Sequence, residues 1–150
     1  MRQEQIKIIY SFISSCSLST ISTVDSANNR PESALVAFAE NDKLELVFGT
    51  YNDTRKYQNI QKNNKVAFVI GWDPKIHITV QYEGLAFELN GDELKKWGEI
   101  FRDKKTPYTD DYMFTPKTRL FRVVPAWIGY SNYTLKPPQV FEIVFDQDLA

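Results

Sequence analysis

The stretch SALVAFAENDKLELVFG, residues 33–49, decides the fold class. Residues 33–39 are mostly small and apolar on both faces, which predicts a strand. In residues 44–49, Leu44, Leu46 and Phe48 alternate with other residues, which predicts a further strand. Only a short polar segment around Asn41-Asp42 separates the two, so we predict a tight hairpin. Because parallel neighbours need a long crossover, this pair is predicted to be antiparallel.

The same alternation continues on both sides of this hairpin. Helices are predicted at residues 6–13, from a cap at Asp53 to 63–64, and at 94–101. Further strands are predicted at 18–24, 66–70, 76–83 with Gly84 as a bulge, 119–124 up to an interruption at Pro125, and 140–145. Six or seven strands in a chain of this size favour a closed or nearly closed barrel, since closure removes exposed edges. We therefore predict a mainly β protein, a six- to seven-stranded antiparallel barrel forming one domain over residues 1–150.

Composition and charge narrow the classes of partner. The 150 residues carry a formal net charge of −1, so no overall field favours nucleic acid or an acidic membrane surface. No stretch approaches the roughly 20 apolar residues of a membrane span, and residues 1–5 do not begin a signal peptide. The single cysteine, Cys16, excludes an intramolecular disulfide, which fits a reducing compartment. We expect a cytoplasmic protein with no nucleic-acid or membrane partner.

The segment FGTYNDTRK, residues 48–56, carries the clearest chemical signal. It leads from a strand end through a turn into a helix, and places Arg55 and Lys56 in the first helical turn. Cations are mildly unfavourable there, by roughly 0.3–1 kcal/mol each. A phosphate bound by backbone N–H groups, the Thr54 hydroxyl and the two cations would explain them. On spacing alone, a solvated basic helix start is favoured over this anion site.

The other reactive or ionisable residues give weaker indications of a functional site. His77 is the only histidine and lacks Cys or His partners for a metal, so we expect an ordinary strand residue and no metal site. Cys16 follows an apolar helix and is interpreted as a small core residue. Asp110-Asp111 is interpreted as a solvated pair on a loop. No nucleophile-elbow sequence is present.

The order and spacing of several short segments resemble the pyridoxamine 5'-phosphate oxidase-like, FMN-binding split-barrel family, particularly its general stress protein branch. The matching segments are LSTISTVD (18–25), RP (30–31), SALV (33–36), FGT (48–50), TRK (54–56), NI (59–60), VAFV (66–69), VQYEG (80–84) and, more loosely, FRVVP (121–125). Together they extend over most of the chain. The resemblance reverses the ranking reached from spacing alone, because residues 54–56 coincide with the family's phosphate-binding position.

The resemblance implies FMN as cofactor and assigns roles residue by residue. Phosphate contacts are implied for Thr54, Arg55 and Lys56, a ribityl or ring contact for Thr50, backbone contacts to the ring edge for Ala34, Leu35 and Val36, and a flavin contact for Thr79. Family members are usually homodimers with flavin at the interface. Trp127 or Tyr130 is therefore expected to reach the flavin of the partner subunit.

Two departures from the family pattern bear on activity. Ala34 and Ala39 stand where the true oxidases carry basic residues, and no counterpart of the oxidase's substrate-binding C-terminal segment follows the last strand. We therefore expect an FMN-dependent oxidoreductase or flavin reductase, acting on a small redox substrate with NAD(P)H as a candidate donor, without pyridoxamine phosphate oxidase activity. The alternatives are a flavin-binding stress protein without turnover, and a split barrel that binds deazaflavin or haem.

Overall fold

The computed structural model describes residues 1–71, 73–104, 106–107 and 114–146. The elements are α1 (Arg2–Ser14), β1 (Leu18–Asp25), β2 (Arg30–Glu40), β3 (Leu46–Tyr51), α2 (Arg55–Lys62), β4 (Lys65–Ile70), β5 (Ile78–Glu88), α3 (Gly91–Asp103), β6 (Thr118–Asn132) and β7 (Gln139–Val144). Helices α1 and α3 have 13 residues each. None of the helices in these ranges combines the length and hydropathy needed to cross a bilayer.

The strands form one antiparallel sheet that closes on itself. Their order is β3-β2-β1-β4-β5-β6-β7, and β3 also pairs with β6, so six strands make a barrel and β7 extends β6 on the outside. The pairing of β1 with β4 ends at Ser22 opposite Ala67, although β1 continues to Asp25, so the two strands separate there. This confirms the predicted antiparallel split barrel.

The last barrel strand corrects one prediction. β6 runs without interruption through Pro125 and pairs with β5 on one edge and with β3 or β7 on the other. Pro125 lies opposite Gly84, where the register shifts between Glu83 and Gly84. Because a bulge already disrupts the regular ladder, a residue without an N–H is tolerated at this position. Gly84 is required there, since an added Cβ would lie 2.5 Å from the Val124 oxygen.

Two predicted strand starts are also wrong, because a turn extends further than the alternation suggested. β3 begins at Leu46, and Leu44 lies in the turn with a φ of 64°. The Asn41 side-chain oxygen accepts from the Glu45 N–H at 3.0 Å, which makes this a longer turn than a two-residue hairpin. β5 begins at Ile78, because His77 has a φ of 55° and lies exposed in a turn.

Two helices, α1 and α2, contribute side chains to the barrel core, and α3 packs on an outer face. The interior is rich in aromatic rings, including Phe48 stacked on Phe121 at 5.4 Å between centroids. Side chains of α1 pack into the same core, and Ile60 of α2 joins it from the end of β1 where Thr23 lies. A second cluster outside the barrel packs Trp97 of α3 against β2, β3 and β6. The barrel therefore supplies a rigid frame for the connection from β3 to α2.

Candidate functional site

The start of α2 is fixed by Thr54. Its backbone is extended, and its Oγ1 accepts from the Tyr57 N–H at 3.3 Å, which makes it the N-cap. Asp53, predicted as the cap, is exposed and instead pairs with Lys117 at 3.1 Å. The prediction fails because the capping residue directly precedes the first helical residue, Arg55, and that position is occupied by Thr54.

A hydroxyl pair ties this cap to the end of β3. The Oγ1 atoms of Thr50 and Thr54 lie 2.7 Å apart, and Thr54 Oγ1 donates to the Tyr51 carbonyl at 3.0 Å. Each hydroxyl has one proton, so Thr50 is the donor of the pair. Thr50 is only 3% exposed, which makes this bond an internal one. The Thr54 hydroxyl is therefore used as a cap here, with its proton directed at Tyr51.

The two cations after the cap face a cleft. Arg55 and Lys56 line a space of about 480 Å³ together with Thr54 and residues of β1 and β2, among them Thr23 and Ala34. Arg55 is largely exposed, whereas Lys56 is half-buried, and burial lowers the pKa of its ammonium group. A cleft of this size lies within the range of small-molecule sites, roughly 300–1,000 Å³.

A carboxylate from β2 also enters the cleft. Glu32 accepts from the Arg55 guanidinium and, at 2.8 Å, from the Asn59 side-chain amide. The same Asn59 nitrogen donates to Thr23 Oγ1 at 2.9 Å. The hydrogen bond from Arg55, followed by that from Asn59, lowers the pKa of Glu32. Sequence reasoning missed Glu32 and Asn59, although Glu32 shares the strand face of Ala34, where a charged residue is unusual.

The backbone of β2 has an open edge beside this cleft. β3 pairs with β2 only through Phe38, Ala39 and Glu40, so residues 30–37 have no strand partner on that side within the described chain. Phe38 N donates to Ser17 O at 3.1 Å, and backbone direction alternates along an antiparallel strand. The backbone groups of Ala34 and Val36 therefore face β1, whereas those of Leu35 face the open edge.

Thr79 and Trp127 lie elsewhere in the same chain. Thr79 is on β5, three strands from β2 in the sheet order, and Trp127 is on β6 with its Nε1 donating to Glu142 at 2.9 Å. Their neighbours Val80 and Ile128 are fully buried inside, so both side chains point outward. The fold therefore gathers Thr50, Thr54, Arg55, Lys56 and the β2 residues, and leaves Thr79 and Trp127 outside this cleft.

The remaining sequence candidates do not form a second site within the described ranges. Cys16 is partly buried, and desolvation raises the pKa of its thiol, which disfavours the reactive thiolate. His77 is exposed on its turn, not on a strand as predicted. Asp110-Asp111 lies outside the described residues. No group of three His, Cys, Asp or Glu residues in the described ranges could hold a metal ion.

Solved structures with the same fold extend over nearly the whole chain. A protein from Clostridium acetobutylicum related to general stress protein 26 is 15% identical, with a TM-score of 0.70, covering 94% of this chain and 96% of its own. A pyridoxamine 5'-phosphate oxidase-related, FMN-binding protein from Nostoc punctiforme is 14% identical, with a TM-score of 0.62 and coverages of 87% and 88%. A haem-binding protein from Mycobacterium smegmatis is 14% identical, with a TM-score of 0.78, covering 93% of this chain and 57% of its own.

The likeness extends from structure to sequence. No curated protein matches the chain. The sequence profile of the pyridoxamine 5'-phosphate oxidase family, however, matches residues 7–132. That range includes the barrel from β1 to β6, the cap at Thr54 and the two cations that follow it. The chain belongs to the pyridoxamine 5'-phosphate oxidase family.

Proposed function

We propose that this protein is an FMN-binding flavoprotein with a redox role, and that Arg55 and Lys56, directly after the cap at Thr54, hold the phosphate of the cofactor. The observation that carries the proposal is the cation pair Arg55 and Lys56 at a helix N-terminus, facing a cleft beside the open edge of β2. Membership of the family and the FMN-binding relative from Nostoc punctiforme support the same cofactor.

The start of α2 offers what a phosphate monoester needs. The first N–H groups of a helix have no intrahelical acceptor, and those of Arg55 and Lys56 are the first two of α2. The two side chains add charge-assisted donors on the same side. A bound phosphate would also favour the charged form of Lys56, whose ammonium pKa is lowered by burial in the free protein. Together these backbone and side-chain donors would form a phosphate cradle that needs no metal ion.

The outer surface of the sheet supports a ring site at a dimer interface. Leu35 and Val69 are 50% and 43% exposed and lie on either side of Thr20 in the register of β2, β1 and β4. Thr79 and Trp127 also point outward, and we propose that they contact a flavin held by a second copy. We propose a homodimer in which this surface is covered and Leu35 offers backbone groups to the ring edge.

The bound flavin would supply the electron-transfer chemistry, and the protein would bind, orient and shield it. We propose an oxidoreductase or flavin reductase. Pyridoxamine phosphate oxidation is not proposed, because positions 34 and 39 of β2 are alanines and supply no cation. No residue of the cleft is assigned as an acid or base.

A visible spectrum and FMN titration of the purified protein test the cofactor. We expect flavin bands, and at least a tenfold loss of FMN affinity in the double variant Arg55→Ala/Lys56→Ala. Lys62→Ala, in the last turn of the same helix, is the matched control and should bind normally. A colourless protein with no FMN affinity would refute the proposal.

Turnover and assembly need separate measurements. Stopped-flow mixing with NADH or NADPH should bleach the flavin bands if the protein is a reductase, whereas no reduction by either would indicate a binder without turnover. Sedimentation should give a dimer, and a monomer at working concentration would remove the interface part of the proposal.

A second candidate is a haem-binding split barrel, favoured by the fold shared with the Mycobacterium smegmatis protein. In the described ranges the one histidine, His77, is on an exposed turn away from the cleft. Titration with haemin, followed through the Soret band, distinguishes this candidate. Saturable haem binding that survives the Arg55→Ala/Lys56→Ala change would favour it over FMN.

A further inference from the structure

We propose that Glu32 competes with the ligand's phosphate for Arg55, and so sets how tightly this protein holds a phosphorylated cofactor. This inference rests on the proposed function, and it concerns the affinity of the same cleft. In the free protein the Glu32 carboxylate accepts from the Arg55 guanidinium, the interaction that a phosphate oxygen would make. Phosphate binding therefore exchanges one anion for another on Arg55.

The charges in the cleft indicate that Glu32 competes with a bound phosphate and does not assist its binding. Arg55 and Lys56 contribute two positive charges, and Glu32 cancels one of them at the point where a phosphate would sit. A phosphate monoester carries roughly 1.5–2 negative charges at neutral pH. Like charges at short range repel, so a fixed carboxylate beside the bound phosphate weakens its binding.

Burial shows which partner moves. The Glu32 side chain is 15% exposed, whereas the Arg55 side chain is 76% exposed. Glu32 is further held by the Asn59 amide at 2.8 Å, and Asn59 is anchored on Thr23 at 2.9 Å. Arg55 can therefore turn toward a ligand while Glu32 stays in place.

The Asn59 contact makes the exchange reversible. When Arg55 leaves, Glu32 keeps one hydrogen bond from Asn59 and is not left as an unpartnered carboxylate. An unpaired polar group would make release costly, and this second donor lowers that cost. Glu32 thus weakens the site for phosphate without closing it. A ligand that lacks the phosphate group has no need of Arg55 and is unaffected.

The test compares FMN with riboflavin in wild type and Glu32→Gln, with Glu99→Gln on the exposed face of α3 as the matched control. We expect Glu32→Gln to bind FMN on the order of tenfold more tightly, the scale of one hydrogen bond to a charged group. Riboflavin affinity should stay within twofold, and the control should match wild type. Unchanged or weaker FMN binding by Glu32→Gln would overturn the inference, since it would make Glu32 neutral or a support for Arg55.

A double-mutant cycle separates exchange from simple repulsion. In an Arg55→Ala background, Glu32→Gln should gain clearly less FMN affinity than in wild type, because only the repulsion between the carboxylate and the phosphate is relieved and there is no arginine to release. A full tenfold gain in that background would overturn the exchange on Arg55. Thermal unfolding of each variant shows that the fold is retained.

Inorganic phosphate gives a readout that does not depend on flavin. Its binding, followed by NMR at the backbone amides of Arg55 and Lys56, should also tighten in Glu32→Gln. If no variant binds FMN or riboflavin but phosphate binding tightens, the proposed function fails and the inference stands. If FMN binds and neither ligand responds to Glu32→Gln, the inference fails alone.

Discussion

Removing the Thr54 hydroxyl should destabilise the protein more than the loss of a surface cap would. Loss of an N-cap costs about 1 kcal/mol. Thr54→Ala also leaves the Thr50 hydroxyl, which is 3% exposed, without the partner now at 2.7 Å. An unsatisfied buried hydroxyl costs about 1 kcal/mol or more. The free energy of unfolding should therefore fall by about 2 kcal/mol.

Substitutions at both Thr50 and Thr54 distinguish the loss of their hydrogen bond from the loss of the helix cap. Thr50→Ala alone should cost about 1 kcal/mol, since Thr54 keeps its cap bond from Tyr57. The double variant loses the cap and the Thr50–Thr54 bond, at about 1 kcal/mol each, but leaves no hydroxyl buried without a partner, so its cost should also be about 2 kcal/mol. The single costs would add to about 3 kcal/mol, which predicts a coupling of about 1 kcal/mol. Thr54→Ser keeps the oxygen and should change stability by less than about 0.5 kcal/mol.

Urea unfolding followed by fluorescence and circular dichroism measures these differences. We expect a lower midpoint at unchanged slope, because the surface exposed on unfolding stays the same. For a domain of this size, 2 kcal/mol corresponds to a melting temperature lower by about 4–8 °C. A Thr54→Ala effect below about 0.5 kcal/mol, or strict additivity of the two alanine variants, would refute the reasoning.

Three further predictions concern single residues. Because the hydrogen bond from Arg55 lowers the pKa of Glu32, Glu32 contributes stability that is full above its usual pKa of 4.5 and is lost as pH falls through the lowered value. The stability difference between wild type and Glu32→Gln should thus shrink below pH 4.5 in acid titrations, and a constant difference would contradict this. Gly84→Ala should cost about 2–3 kcal/mol in urea unfolding, since the new methyl meets a backbone oxygen at 2.5 Å; a loss under 1 kcal/mol would show that the bulge relaxes. Lys104→Met should cost about 3 kcal/mol at neutral pH because it leaves the nearly buried Glu40 carboxylate unpaired; if melting is unchanged, the pair is not structural.

The barrel was predictable from local alternation, and its exceptions have non-local causes. The antiparallel hairpin of β2 and β3 and the bulge at Gly84 follow from residue pattern alone. Pro125 reads as a break, but it falls within β6 because Gly84 on the neighbouring strand already interrupts the ladder. The left-handed backbone of Leu44 and His77 is also invisible in the pattern, since both are flanked by alternating residues.

The candidate site also has one part that local sequence predicts and another that depends on distant residues. Arg55 and Lys56 were placed at a helix start by neighbouring sequence, and the structure puts both in one cleft. The pairing of Arg55 with Glu32 depends on β1 and β2 lying in a register that sets Glu32 opposite Thr23, near the buried Asn59. Residues far apart in sequence meet there, so no local pattern contains the contact. The sequence pattern also could not distinguish Asp53 from Thr54 as the helix cap, because the choice depends on the backbone angles at which the helix begins.

The long β6 has a consequence for how the molecule assembles. It closes the barrel by pairing with β3, and the bond from Arg122 Nε to Glu45 at 3.0 Å joins residues 77 positions apart. Contacts of such separation form late, because the intervening chain loses much conformational freedom before they are made. We expect β1 to β4 and α2 to remain an open sheet during synthesis until β6 has emerged. The cradle at Arg55 would then become rigid only in that last step, so cofactor capture would follow synthesis of most of the chain.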